Sequence, residues 1–145
     1  MILGCPQGWI DARGVNLGFL YFNKNQAMTW HDAKNYCETL KYGHLHQAHL
    51  IEIYDSTQQN FLKGRLLEIS QNSETWWIGL TDSENEGTWK WAHSGNIATY
   101  TAWGNGEPND LNGGQDFVYL RKIYNYYWDD SDDEIGGNPI CQLFF

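Results

Sequence analysis

The spacing of apolar residues changes about halfway along the chain. Trp30, Ala33, Cys37 and Leu40 recur at the interval of one helix face. Thr29 stands before them with Asp32 three residues later, a capping signature that starts a first helix and turns Cys37 toward the core. Ser56-Thr57-Gln58-Gln59 has the same form ahead of Phe61, Leu62, Leu66 and Ile69, and predicts a second helix capped by Ser56. Between the two, His49-Leu50-Ile51-Glu52-Ile53 is a short apolar run expected to be a buried strand. Upstream, Cys5-Pro6-Gln7-Gly8-Trp9 and Phe19-Leu20-Tyr21-Phe22 flank a polar, Gly-containing stretch, and predict the two arms of a hairpin.

Beyond the second helix the pattern is that of strands. Trp76-Trp77-Ile78-Gly79-Leu80, Thr88-Trp89-Lys90-Trp91, Phe117-Val118-Tyr119-Leu120, Tyr126-Tyr127-Trp128 and Ile140-Cys141-Gln142-Leu143 are aromatic or β-branched runs. Residues 104–114 hold too many turn formers for either element and predict a long loop, the kind of segment that usually carries function. Helices followed by strands, without repeat or linker, predict one α+β domain spanning residues 1–145.

Composition narrows the function. With 145 residues, 41% hydrophobic and 16% aromatic, the chain can bury one core. No apolar run approaches the roughly 20 residues needed to cross a bilayer, and Met1-Ile2-Leu3 lacks the basic flank of a signal peptide, so membrane insertion is not expected and any leader has been removed. The net charge of −9 argues against gripping nucleic acid phosphates or anionic membranes. Its distribution says more. Residues 1–81 hold seven acids against six bases, whereas residues 82–134 hold eleven against three. A solvated acidic face is the plain reading of that excess; the sharper one is a site for hard cations with oxygen ligands.

Three cysteines cannot all pair within one chain. Cys37 on a core-facing helix and Cys141 in the last strand are expected to bridge, closing a loop of roughly 100 residues worth about 4.7 kcal/mol by chain entropy. Such a bridge places the protein outside the cell. Cys5 is left as a free thiol, a buried spectator or, the preferred reading, an interchain bridge.

In order and spacing, these pieces resemble the C-type lectin-like domain family over nearly the whole chain. The resemblance is carried by Cys5-Pro-Gln-Gly-Trp9, the helix bearing Cys37, Ala48-His49-Leu50 with Ile53, Trp77-Ile78-Gly79-Leu80, Trp89-Lys90-Trp91, Gly106-Glu107-Pro108-Asn109, Trp128-Asp129-Asp130 and Ile140-Cys141. It implies two helices and two small antiparallel sheets, a disulfide from first helix to last strand, and a long calcium-binding loop. In sugar-binding members one Ca2+ is held by the loop, which has a cis proline, and by a Trp-led strand. Carried over by position, its ligands are Glu107, Asn109, Gln115, Asp129 and Asp130, with Glu107, Asn109, Gln115 and Asp129 also meeting the sugar; Tyr127, lying beside these residues, is expected to stack on it. All five ligands offer the oxygens that Ca2+ takes. An auxiliary calcium site would use Asp82, Glu86, Asp110 and Asp116.

The chain departs from the sugar-binding pattern at two positions, with Gln115 in place of Glu and Asp129 in place of Asn. Charge is conserved, but a carboxylate only accepts hydrogen bonds whereas an amide also donates, so the roles around one sugar hydroxyl are exchanged. Glu107-Pro108-Asn109 resembles the mannose-type loop, and the reversed second pair turns the expectation modestly toward galactose or N-acetylgalactosamine. The family's long-loop disulfide is absent: Phe117 and about Asp133 occupy its positions, so the loop is expected to order on binding calcium.

The resulting reading is a secreted, extracellular, calcium-dependent lectin without catalysis. Its partners are glycans, and as weak monosaccharide binding demands several sites, it is expected to be a homo-oligomer, with a Cys5-linked dimer as one form. The runner-up is the same fold recognising protein, mineral or ice. Asp129 and Asp130 are strand neighbours facing opposite ways, unsuited to the roughly 5–9.5 Å pairing of glycosidases. His44, His46 and His49 fall short of a closed zinc site. Tyr124, Tyr126, Trp128 and Trp76 are further stacking candidates, about half of the aromatic residues beside the site being expected to point inward, while Trp77, Trp89, Trp91 and Trp103 are assigned to the core.

Overall fold

Helix formation follows the caps. In the computed structural model, which describes residues 4–69, 75–110 and 113–145, α1 spans Trp30–Thr39 and the Thr29 side chain accepts a hydrogen bond from Asp32 N at 3.1 Å. Trp30, Ala33 and Cys37 are buried as their spacing requires. Helix α2 spans Ser56–Ile69, but its cap is Asp55 rather than Ser56. Gln58 N donates to Asp55 Oδ1 at 2.8 Å, and Gln58 Oε1 accepts from Tyr54 N at 2.7 Å. The box is shifted by one residue, since Asp55 and Gln58 satisfy the same capping pattern as Ser56 and Gln59.

The strands are β1 (Ile10–Asp11), β2 (Phe19–Phe22), β3 (Lys41–Tyr42), β4 (His46–Gln47), β5 (His49–Leu50), β6 (Thr75–Thr81), β7 (Lys90–Trp91), β8 (Phe117–Arg121), β9 (Tyr127–Ser131) and β10 (Asn138–Leu143). The main path runs β1-β2-β10-β6-β8-β9, with β5 beside β10 and β7 beside β6; β3 and β4 form a separate pair. The expected two antiparallel sheets are corrected at one point. Strand β10 pairs antiparallel with β2 and β5 but parallel with β6, through Asn138 opposite Trp76 and Pro139 opposite Trp77, and so joins the two halves. All six residues of β10 are buried by this double use.

Several strand boundaries differ from the apolar runs, and β7 keeps only Lys90 and Trp91 of the run that begins at Thr88. The first hairpin arm is Ile10–Asp11, since residues 5–9 are drawn into a turn closed by Trp9 N donating to Pro6 O at 3.0 Å. Only His49 and Leu50 join the ladder, although Ile51, Glu52 and Ile53 stay buried. Tyr126 precedes β9 in a left-handed turn, φ 64°, with Asn125 at φ 56°. The opening Met1, Ile2 and Leu3, and Leu111 and Asn112 of the long loop, lie outside the described residues.

Two apolar clusters fill the interior. Trp76 belongs to the first and is fully buried, so it cannot stack on a ligand. Trp77 and Trp91 are core as expected, whereas Trp89 and Trp103 are half-buried, their rings 4.9 Å apart. Cys37 and Cys141 form the disulfide across 104 positions, and Cys5 is an exposed free thiol, which removes the buried alternative for it. Where the missing loop disulfide would lie, the start of α1 holds both positions without sulfur. The Trp30 ring lies 4.7 Å and the His31 ring 5.1 Å from Phe117, while His31 N donates to Asp133 Oδ1 at 2.9 Å and His31 Nδ1 lies 2.6 Å from Asp133 Oδ2.

Candidate functional site

Strand β9 ends the sheet path, and the long loop packs along its free edge. Trp103 bridges to Trp128 in parallel, Gly104 N donates to Trp128 O at 2.7 Å, and Glu107 N then donates back to Gly104 O at 3.0 Å. After this turn the Glu107-Pro108 bond is cis. One carboxylate oxygen from each of Glu107, Asp129 and Asp130 lies within 4.8 Å of the others. Side chains that alternate along β9 therefore still converge, because the loop approaches from the strand's edge rather than from one face.

Each member of the group is held differently. Asp130 is 1% exposed and clamps the loop, Oδ1 accepting from Asn109 N at 3.1 Å and Oδ2 from Asp110 N at 2.7 Å. Burial pushes its carboxyl above the ordinary carboxylate range, and these two bonds pull it back. Burial likewise raises Asp129, opposed by hydrogen bonds from its neighbours, including Arg121 Nη1 at 3.1 Å from Oδ2. Glu107 Oε2 accepts from the Tyr124 hydroxyl at 2.8 Å and from Asn109 Nδ2 at 3.3 Å. Glu107 Oε1 is buried without a hydrogen-bond partner. Three acids with an orphaned inward oxygen fit a hard cation and are poorly explained by packing alone. Gly104 makes room for this arrangement, since a Cβ there would lie 2.7 Å from Tyr124 Cγ.

A second group joins Asp82, Glu86 and Asp116, again with ligand oxygens within 4.8 Å of one another. Asp82 follows β6 and is 2% exposed. Its backbone N donates to Asp116 O at 3.1 Å, Oδ2 accepts from Gly87 N at 2.8 Å, and Oδ1 is buried without a partner. Burial and the adjacent Glu86 carboxylate push Asp82 up to about 6, and burial raises Asp116 as well. These residues too fit a cation. Asp110 is not within that 4.8 Å group, though its charge acts on Asp116; it sits at φ 45° and its Oδ1 accepts from Gln115 N at 3.0 Å, which tightens the loop.

Among the aromatic candidates, Tyr124 reaches the first group, whereas Tyr126 and Trp128 are buried in the first core cluster and present no face to a ligand. Tyr127 does not share that contact: it packs on the first core cluster, with Lys63 Nζ of α2 5.3 Å from its ring centroid. The three histidines stay apart from any metal group among the described residues. His49 Nδ1 bonds Leu50 O at 2.8 Å and its ring stacks on His93, while the His46 ring lies 5.4 Å from Phe145. Two residues that the sequence did not single out support the site. Arg121 pairs with Asp129, and buried Gln59 of α2 holds β9 in place, its Nε2 donating to Tyr126 O and its Oε1 accepting from Trp128 Nε1, both at 2.9 Å.

A mixed sheet carrying two helices, with a proline-bent acidic loop laid along an acidic edge strand, defines a long-loop recognition domain with two cation-type groups. The chain belongs to the Lectin C-type domain family, whose profile matches residues 26–143. It is 28% identical over 137 residues to a perlucin-like protein of Mytilus galloprovincialis, covering 92% of this chain and 81% of that one. It is 30% identical over 142 residues to a C-type lectin mannose-binding isoform of Notechis scutatus scutatus, covering 97% and 84%. The structure of the C-type lectin CEL-I from Cucumaria echinata superimposes with a TM-score of 0.86 at 25% identity, over 99% of each chain. The chain is a non-enzymatic member of this family. No helix among the described residues is long and apolar enough to cross a membrane.

Proposed function

We propose that residues 1–145 form one carbohydrate-recognition domain of a secreted, calcium-dependent lectin. The observation that carries this reading is Glu107 Oε1, buried and unpartnered within a group of three carboxylates. A divalent cation is the partner such an oxygen lacks, and a cation held at a loop edge has open positions for vicinal sugar hydroxyls. Glu107, Asn109, Gln115, Asp129 and Asp130 are its proposed ligands. Asp82, Glu86 and Asp116 are proposed to hold a second ion that orders the loop, with Asp110 acting through its bond to Gln115.

The sugar class follows from hydrogen-bond polarity. Gln115 can donate where a Glu could not, and Asp129 can only accept, so the second hydroxyl meets the reverse of the mannose-type arrangement. This supports galactose or N-acetylgalactosamine over mannose-type sugars. Single sites should bind weakly, and exposed Cys5 offers one route to a bivalent homo-oligomer. The test is retention on galactose and mannose resins with calcium or chelator. The reading expects calcium-dependent retention, stronger on galactose, and a shift toward mannose in Gln115→Glu with Asp129→Asn. Retention on neither resin refutes sugar binding, and a double variant with unchanged selectivity refutes the polarity argument.

A further inference from the structure

Among the acids of the two groups, the Arg121–Asp129 pair is the only ion pair that the described residues make. It is asymmetric. The Asp129 side chain is 7% exposed and the Arg121 side chain 41% exposed, so the acid is buried in the group while the guanidinium reaches its outer rim. Arg121 Nη1 binds Asp129 Oδ2, and the guanidinium carbon lies 6.0 Å from the centroid of the Tyr124 ring, whose hydroxyl holds Glu107. Of the five N–H donors on a guanidinium, the others have no further acceptor among the described residues.

The guanidinium is therefore held by Asp129, lies beside the tyrosine that holds Glu107, and still has donors to offer. Charge makes its placement informative. Three carboxylates around one divalent ion leave a residual negative charge, and the stretch that supplies them, residues 82–134, holds eight more acids. An anionic sugar would be repelled there unless a fixed positive charge stood at the rim.

We propose that Arg121, supported by Asp129 and Tyr124, forms a subsite for an oxyanion substituent on the bound saccharide, so that the preferred ligands are acidic sugars. The recognised group is a planar carboxylate or a sulfate ester, either of which suits the guanidinium fork. This inference rests on the sugar-binding reading above. As the arginine is partly exposed, the gain is set by a solvent-screened contact, about three- to tenfold in affinity.

The experiment measures binding of galactose, galacturonic acid and galactose 6-sulfate to the full chain by titration calorimetry in millimolar calcium near neutral pH. The acidic sugars should bind about three- to tenfold more tightly at about 50 mM NaCl, and that advantage should shrink at about 500 mM. Arg121→Met should bring the acidic-to-neutral ratio to one or below, and Arg121→Lys should keep part of it. A purely structural ion pair would shift the melting temperature without moving that ratio. Preference for only one acid identifies the substituent. A wild-type ratio at or below one overturns the proposal even if the variants fail to fold, as does a ratio unchanged in Arg121→Met. Absence of binding to galactose, mannose and both acidic sugars in calcium removes the sugar-binding reading itself, and this inference with it.

Discussion

Replacing Asp82 by Asn removes a charge from the second acidic group while keeping its acceptor. Asp82 is 2% exposed, its Oδ2 takes the Gly87 N–H, and its Oδ1 faces Glu86 and Asp116 with no donor. Burial and Glu86 raise its carboxyl from 3.8 to about 6. That difference corresponds to about 3 kcal/mol, the cost of keeping Asp82 ionised without a cation. The folded-state value is the higher one, so this stability is present below the ordinary value and lost as pH climbs through about 6. In chelator near neutral pH, Asp82→Asn should therefore be more stable than wild type by up to about 3 kcal/mol, or roughly 6–10 °C in melting temperature. The amide can donate to Glu86 and Asp116 and still accept from Gly87. As pH falls from about 7 to about 4, the chelated wild type should close most of that gap. In millimolar calcium the order should reverse, because wild type keeps a ligand that the variant lacks. Scanning calorimetry with chelator or calcium reads all of this. An Asp82→Asn protein that melts below wild type in chelator at neutral pH would refute the reasoning, since Asp82 would then be stabilising as an anion without metal.

Asp130→Ala removes both charge-assisted acceptors of the loop amides at Asn109 and Asp110 and should destabilise the protein by about 2–4 kcal/mol. Hydrogen exchange at those two amides should accelerate, and unchanged protection would count against the clamp. Gly104→Ala should cost about 1–3 kcal/mol by driving Tyr124 away from Glu107. In a Tyr124→Ala background the same change should cost less, because the ring contacts are gone and only the 3.0 Å approach to the Cβ of residue 124 remains, which thermal melts of the four proteins would show.

The parts of the fold legible in the sequence were those written in local spacing. Trp30, Ala33 and Cys37 declared a buried helix face, Thr29 its cap, and the turn formers of residues 104–114 a loop. Asp55 displaced Ser56 as a cap because both residues satisfy the same pattern and only the fold selects between them. Tyr126 looked like strand, yet its left-handed backbone depends on the turn before β9. Glu107, Asp129 and Asp130 could be named from their order, and the structure brings them together. Arg121, Gln59 and the Tyr124–Glu107 bond were not legible in that way, because each is a contact between elements, 67 to 69 positions apart for Gln59, and leaves no periodic trace. Asp110 was named for its carboxylate, but the same oxygen serves the loop backbone at Gln115.

The fastening at the start of α1 has a consequence for how the recognition edge answers its surroundings. Phe117 and Asp133 are gripped by Trp30 and His31 through ring contacts and hydrogen bonds, while sulfur joins the same helix to β10 through Cys37 and Cys141. A reductant reaching this protein therefore attacks the frame and leaves the loop's own latch chemically untouched. The latch can release and re-form as often as thermal motion allows, needing neither thiol nor oxidant to reset it.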